Sequence, residues 1–483
     1  MKAVTQPLAG LLVAIFLTLN ASSQVPASQT LRGHIPAGAV RARHIGPLAT
    51  TNTLDLAIGL PLRNTGELKN LLRNIYDPAS PDFHHYLTPA EFAERFGPSE
   101  KDYRAMIRFA EANGFTVTAQ HPNRMLLDVR GPVAVINRAL HVTMGSYRHP
   151  LENRIFFAPD VDPSLNVSVP VIHIGGLDNY SLPRPRMTAK PLSAATRASP
   201  AGGSGPDGTL LGSDFRGAYV PGTSMTGAGQ VVGLLQFDGY DSNDIVYYEN
   251  LAGLPAVSLT NILIDGFNGN PSGGNGEVEV CLDIEMAMAM APGLSKIIVY
   301  EAPNPSPFED ILNRMANDNL AKQLSCSWFI PNGASNAVAD QIFQQMAVQG
   351  QSFFAASGDS DAYTGLISFP SDSPYITVVG GTTLTTTGTN FTSETVWNWG
   401  SGVGSGGGIS TQYPIPSWQT NLSMAANQGS TVKRNVPDVA LTADNIYVRA
   451  QGLDYSEGGT SAASPLWAGF MALVNQQAVA ISN

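Results

Sequence analysis

Between Val231 and Gly380 the chain repeats one pattern, short apolar runs separated by segments of helical length. Val231 to Gln236, Lys296 to Glu301, Gln323 to Trp328, Ser352 to Ala356 and Ile376 to Gly380 read as strands. Val278 to Ala291, closed by Pro292-Gly293, reads as a helix, as do Glu309 to Asp318 and Ala337 to Gln349. Strands that are apolar on both faces and joined through helices form a parallel sheet covered on both sides. The fold class expected over residues 210–483 is therefore α/β, and the working groups of such a sheet collect beyond the carboxyl ends of its strands.

The N-terminal half is built differently. Residues 1–23 read as a secretory signal, with Lys2, an apolar run from Leu8 to Leu19 and the small residues Ala21-Ser22-Ser23. The run is too short to span a bilayer, so export without an anchor is expected. Over residues 31–187 several short strands and four helices predict an α+β domain with an antiparallel sheet. Thr88 opens one of its helices, and Gly114 closes another. From Ser181 to Gly208 Pro, Ser, Ala and Gly dominate, which predicts an exposed linker open to proteolysis, with the boundary segment at 188–209.

Charge divides along the same line. Residues 1–209 hold 20 Lys plus Arg against 15 Asp plus Glu, and residues 210–483 hold 7 against 23. The halves should attract while the carboxylates are ionised, and no basic patch for nucleic acid is indicated. Cys281 and Cys326 are too few for a disulfide framework; in their apolar surroundings they read as two buried thiols, with a single bridge as the other reading. His84-His85 is no metal pair, because adjacent side chains on an extended segment point apart.

The chemistry centres on Glu457-Gly-Gly-Thr-Ser-Ala-Ala-Ser-Pro465. Glycines before Ser461 and small residues after it describe a tight loop entering a helix, whose unpaired N–H groups favour developing negative charge. A plain helix cap would read the same way. All eight histidines precede residue 174, so a base for Ser461 within its own half must come from another residue type, a carboxylate. Glu279 and Asp283 stand four apart and share a helix face. Like charges there repel by roughly a few tenths of a kcal/mol, and crowding raises one pKa so that a proton is shared. An acidic surface at a helix start is the plainer reading. Asp359 follows an apolar strand and a Gly, either as a turn cap or as a group facing a substrate carbonyl. Ser327 and Trp328 end another strand, where they line a peptide cleft or fill core. Gly406 and Gly407, in Ser405-Gly-Gly-Gly408, bring bare backbone near a substrate or form a hinge; the loop lacks the pattern of a nucleotide cradle.

Together these residues resemble the sedolisin family, the serine-carboxyl peptidases, in precursor form. Asp77 to Thr88 with Phe96-Gly-Pro-Ser99 is similar to the family's activation domain, and Ala218-Tyr-Val-Pro-Gly222 to the start of its mature enzyme. The resemblance implies a subtilisin-like fold with Glu in place of His. It places the nucleophile at Ser461, the Glu-x-x-x-Asp pair at Glu279 and Asp283, and the oxyanion Asp at Asp359. It also implies calcium, bound in the family by an Asp-rich C-terminal loop. The sequence is expected to lack that loop, ending at Asn483, and no metal ligand is assigned. Phe329 stands where family members often have Gly.

The expectation is a secreted endopeptidase acting on proteins and peptides at about pH 3 to 5, near the pKa of a free Glu. Its own prodomain would act as an intramolecular inhibitor, and no membrane contact is expected after signal removal. The rival is a non-catalytic peptide-binding remnant of such a peptidase.

Overall fold

The computed structural model describes residues 28–192, 202–331, 333 and 336–482. The signal-like segment 1–23 and residues 193–201 of the expected linker lie outside them.

The N-terminal unit contains a four-stranded antiparallel sheet in the order Thr116–Gln120, Leu126–Pro132, Thr53–Gly59, His173–Gly175. A three-stranded antiparallel sheet of Arg43–Pro47, Met144–Arg148 and Ile155–Pro159 lies beside it in the chain. Helix boundaries follow local chemistry. Thr88 and Glu91 form a reciprocal capping box at the start of Pro89–Arg95, and Ser99 accepts from Asp102 N at the start of Glu100–Asn113. Gly114 ends that helix at φ +92°, which an L side chain rarely adopts.

The second unit is an eight-stranded sheet. Leu259–Leu263, Lys296–Glu301, Val231–Gln236, Gln323–Cys326, Ser352–Ala356 and Thr377–Thr387 run parallel in that order, and Val439–Thr442 is a parallel partner of the last. Asn390–Val396 adds an antiparallel strand. The Asn275–Met290 and Thr460–Ser482 helices pack against each other. The first of them is buried from Glu277 to Met290 on every side, as expected of an apolar helix inside a core. Gly469 permits their close approach, since a Cβ there would lie 2.9 Å from Ala287 O. Cys281 and Cys326 are buried free thiols.

The two units share one core. Ala57, Leu68, Ile75, Phe92 and Phe96 of the first pack with Phe308, Ile311, Val338, Ile342 and Phe343 of the second. Neutral amides complete the seam: Asn123 Nδ2 donates to Asn313 Oδ1 at 2.6 Å and to Gln345 Oε1 at 2.8 Å. The expected attraction between a basic and an acidic half takes no form of close pairing. Among the described residues the cross-unit ion pair is His173 with Glu309 at 4.0 Å, and burial lowers the His173 pKa to about 4. The seam also buries Asp128 of the first unit near Asp310 of the second, and burial followed by the Asp128 charge raises the Asp310 pKa well above its ordinary value.

The linker expectation needs a larger correction. Arg184–Pro185 pairs antiparallel with Trp328–Phe329, and Thr188–Pro191 pairs antiparallel with Leu453–Gly458. Residues 184–191 are thus held as strands, and Arg186 between them is 3% exposed. Two open sheet edges supply the backbone partners that composition cannot reveal.

Candidate active site

Ser461 lies in the first turn of the Thr460–Ser482 helix and is fully buried. Thr460 anchors this turn. Its N–H and its hydroxyl both donate to Asp359 Oδ1, at 2.9 and 2.8 Å, and its Oγ1 accepts from Gly358 N at 3.1 Å. Asp359 comes from the loop after the Ser352–Ala356 strand, and Gly358 makes the turn at φ +125°. The other carboxyl oxygen, Asp359 Oδ2, is buried without a partner. Burial pushes the Asp359 pKa up to about 7, against the lowering effect of the Thr460 contacts and of the Arg186 charge.

Glu279 and Asp283 project from successive turns of the Asn275–Met290 helix, and neither is exposed. Asp283 is held at both oxygens: Ser327 Oγ donates to Oδ1 at 2.6 Å and Gln236 Nε2 to Oδ2 at 2.7 Å. Gln236 is oriented in turn by Trp328 Nε1, which donates to its Oε1 at 2.7 Å. Burial raises the Asp283 pKa to about 7. Glu279 has no fixed hydrogen-bond partner at either oxygen. Its pKa is raised well above the ordinary carboxylate value, first by burial and then by Asp283 and Glu457, while the nearby Ser461 hydroxyl acts in the opposite direction. The arrangement is a fixed acid beside a free one, able to share a single proton.

The chain's own segment lies across these groups. Arg186 N donates to Ser327 O at 3.0 Å, and Arg186 O accepts from Ser461 N at 3.3 Å and from the Ser461 hydroxyl. Gly459 allows this approach, because a Cβ there would come within 2.6 Å of Arg186 O and 3.1 Å of Asp359 Oδ2.

Over residues 41–180 the chain matches the family described as Pro-kumamolisin, activation domain. It is 31% identical to kumamolisin of Bacillus sp. (strain MN-32), over 93% of this chain and 85% of that protein. The chain belongs to the sedolisin family. Sedolisin of Pseudomonas sp. (strain 101) is 27% identical, over 97% of this chain and 84% of that protein. A solved Pseudomonas sedolisin, titled a serine-carboxyl proteinase complexed with two molecules of pseudo-iodotyrostatin, superposes with a TM-score of 0.50 at 28% identity, covering 56% of this chain and 81% of that one. This sedolisin-family chain is a serine-type peptidase precursor with an α/β fold and an activation domain.

The structure brings Glu279, Asp283, Asp359, Ser461 and Ser327 to one locality. Trp328 joins the two readings: its strand borders the segment across the site, pairing with Pro185, while its ring packs against Phe237 in the core and its N–H orients Gln236. Gly406 and Gly407 brace the loop that carries Asp359. Gly406 N bonds Gly358 O at 2.6 Å, and Gly407 O accepts from Tyr363 N at 2.8 Å. Gln236, Thr460 and Arg186 were not singled out from sequence. A polar residue closing the apolar run Val231 to Gln236 at the carboxyl edge of the sheet was the available signal for Gln236. Among the described residues no cluster of three or more His, Cys, Asp or Glu side chains is arranged to hold a metal. The calcium implied by the resemblance finds no fitting ligand set in them, and no step is routed through it.

Proposed function

We propose that the chain is the precursor of a secreted, acid-acting serine-carboxyl endopeptidase, held inactive by its activation domain (31–187) with the strand segment 184–191 across the site, and activated by cutting its own Arg186–Met187 bond. Secretion rests on the signal-like residues 1–23. The observation that carries the reading is the seating of the Arg186 carbonyl on Ser461, with antiparallel strand pairing on both sides of it.

The hydroxyl of Ser461 turns from Arg186 O towards Glu279, which takes its proton as Oγ bonds to the carbonyl carbon. Negative charge gathers on the carbonyl oxygen, where the Ser461 N–H already points and where a protonated Asp359 Oδ2 supplies a second donor. The C–N bond then breaks, and Glu279 passes the proton to the departing amine. Water repeats the sequence on the acyl ester, releasing the new carboxyl end and restoring Ser461. Asp283, itself fixed by Ser327 and Gln236, lies beside Glu279 and shares its proton.

The same residues account for action on the acid side. Asp359 donates only while protonated, and its pKa of about 7 sets the upper limit. The first cut occurs with residues 181–192 still seated, where burial and Asp283 keep the Glu279 pKa high. In acid it therefore proceeds through the small fraction of chains with Glu279 ionised. Departure of the segment then admits water, lowers the burial penalty and lets the pair lose a proton more readily. Acid incubation of the full chain, followed by mass spectrometry, tests the reading. The parent should split after Arg186 while Ser461→Ala stays whole; an identical fragment pattern from both would overturn it.

A further inference from the structure

We propose that the pocket beside Ser461 selects a cationic side chain, arginine foremost, for the residue preceding the cleaved bond. The inference rests on Ser461 being the nucleophile, and it names the class of peptide that this site takes.

Arg186 occupies the place of that residue, and its guanidinium is enclosed. Nη1 donates to Tyr363 OH at 2.8 Å, Nη2 to Ser368 O at 3.4 Å, and Cζ lies 4.3 Å from the centre of the Phe329 ring. The opposite wall is Gly358, where a Cβ would come within 2.5 Å of Nη1, so the pocket floor needs a residue without a side chain.

Each group that meets the guanidinium is electron-rich. The Tyr363 hydroxyl gives its own proton to Ser357 O at 2.9 Å, so it faces Arg186 as an acceptor. Ser368 offers a carbonyl oxygen, and Phe329 offers a ring face, which attracts a cation. A carboxylate side chain would meet three repulsive partners. An apolar side chain would fill the volume without the donors that these acceptors can use.

The pocket reads its cation with neutral groups rather than with an acid. Carboxylates lose their charge in the acid range where this peptidase is proposed to work, whereas the lone pairs of a phenol oxygen and a carbonyl and the electron-rich face of a ring are unaffected by pH there. Planarity favours arginine over lysine, because a guanidinium stacks on Phe329 while donating in its own plane. Its Nε has no partner, so the advantage over lysine comes from stacking and from the two Nη contacts.

Two measurements on the full chain test this. In the first, acid-incubated parent is given internally quenched peptides differing only before the cleaved bond, with arginine, citrulline, phenylalanine or glutamate. Arginine should exceed citrulline, its neutral isostere, at least tenfold in kcat/KM, and Tyr363→Phe should bring that ratio towards one. Citrulline or phenylalanine equal to or better than arginine overturns the proposal. In the second, hydrogen exchange of amides 184–191 is followed in the Ser461→Ala chain, where no chemistry occurs. Arg186→Glu and Arg186→Leu should speed exchange at least tenfold and Arg186→Lys much less; unchanged exchange in Arg186→Glu overturns the pocket assignment. If no peptide is cleaved, the nucleophile assignment fails, and the exchange result alone decides the pocket.

Discussion

The carbonyl oxygen of Arg186 accepts from both the amide and the hydroxyl of Ser461, joining positions 275 residues apart in the chain. One oxygen thereby occupies the ground where a helix N-terminus concentrates positive potential. It also engages the hydroxyl proton that a base would otherwise receive. The same contact accounts for readiness and for restraint: the bond is in place, and the proton is pointed away from Glu279.

Gly459→Ala places a methyl group against Arg186 O and Met187 Cα, at 2.6 and 2.8 Å, and near Asp359 Oδ2 at 3.1 Å. We expect faster hydrogen exchange across residues 184–191 and at least a hundredfold slower processing at Arg186–Met187. Unaltered processing by mass spectrometry would show that the segment is not seated by this glycine.

Asp359→Asn keeps an acceptor for Thr460 and replaces the titrating Oδ2 with a permanent N–H donor. The fall in activity as pH rises through about 7, assigned to loss of the Asp359 proton, should disappear in this variant. A pH–rate profile with the same alkaline limb as the parent would move that limb to another group.

Stability should be greater in mild acid than in mild base. Asp283 and Asp359 are raised to about 7, and Glu457 and Asp310 are raised well above their ordinary values, burial being the first cause in each. A raised carboxyl contributes stability that is complete below its unfolded pKa of about 4 and is lost as pH rises through the folded value. His34 and His173, lowered to about 4 by burial, act oppositely: their contribution is complete above about 6.5 and lost as pH falls through the folded value. The carboxyls outnumber the imidazoles, so the urea midpoint of Ser461→Ala should be lower at pH 8 than at pH 5. An equal or higher midpoint at pH 8 contradicts this balance.

Phe92 is fully buried at the seam between the units. Phe92→Ala should cost about 3–5 kcal/mol in urea unfolding of the Ser461→Ala chain. Less than about 1 kcal/mol would mean that the seam is not a shared core.

Some of this site was legible in sequence because its logic is local. Glu279 and Asp283 fall on one face by helical spacing alone, and Ser461 is marked by the glycines before it. Full burial of the acids was not legible, since an acidic helix start ordinarily faces water; the Asn275–Met290 helix is enclosed by tertiary packing. The fold followed the same division. The parallel strands were visible as apolar runs, whereas Val403–Pro414, rich in glycine and polar residues, gave no strand signal and pairs through its neighbours. Residues 184–191 read as coil because strand addition depends on edges far away in the chain.

Replacing Glu279 with Gln preserves size and removes the ability to take the Ser461 proton. The measurement is the rate at which Glu279→Gln cuts its own Arg186–Met187 bond in acid, beside parent and Ser461→Ala. The account predicts a fall of about 10²–10⁴-fold, the range of general-base contributions, in a chain that remains folded. A rate within tenfold of the parent would contradict it, and Ser461 would then need another base.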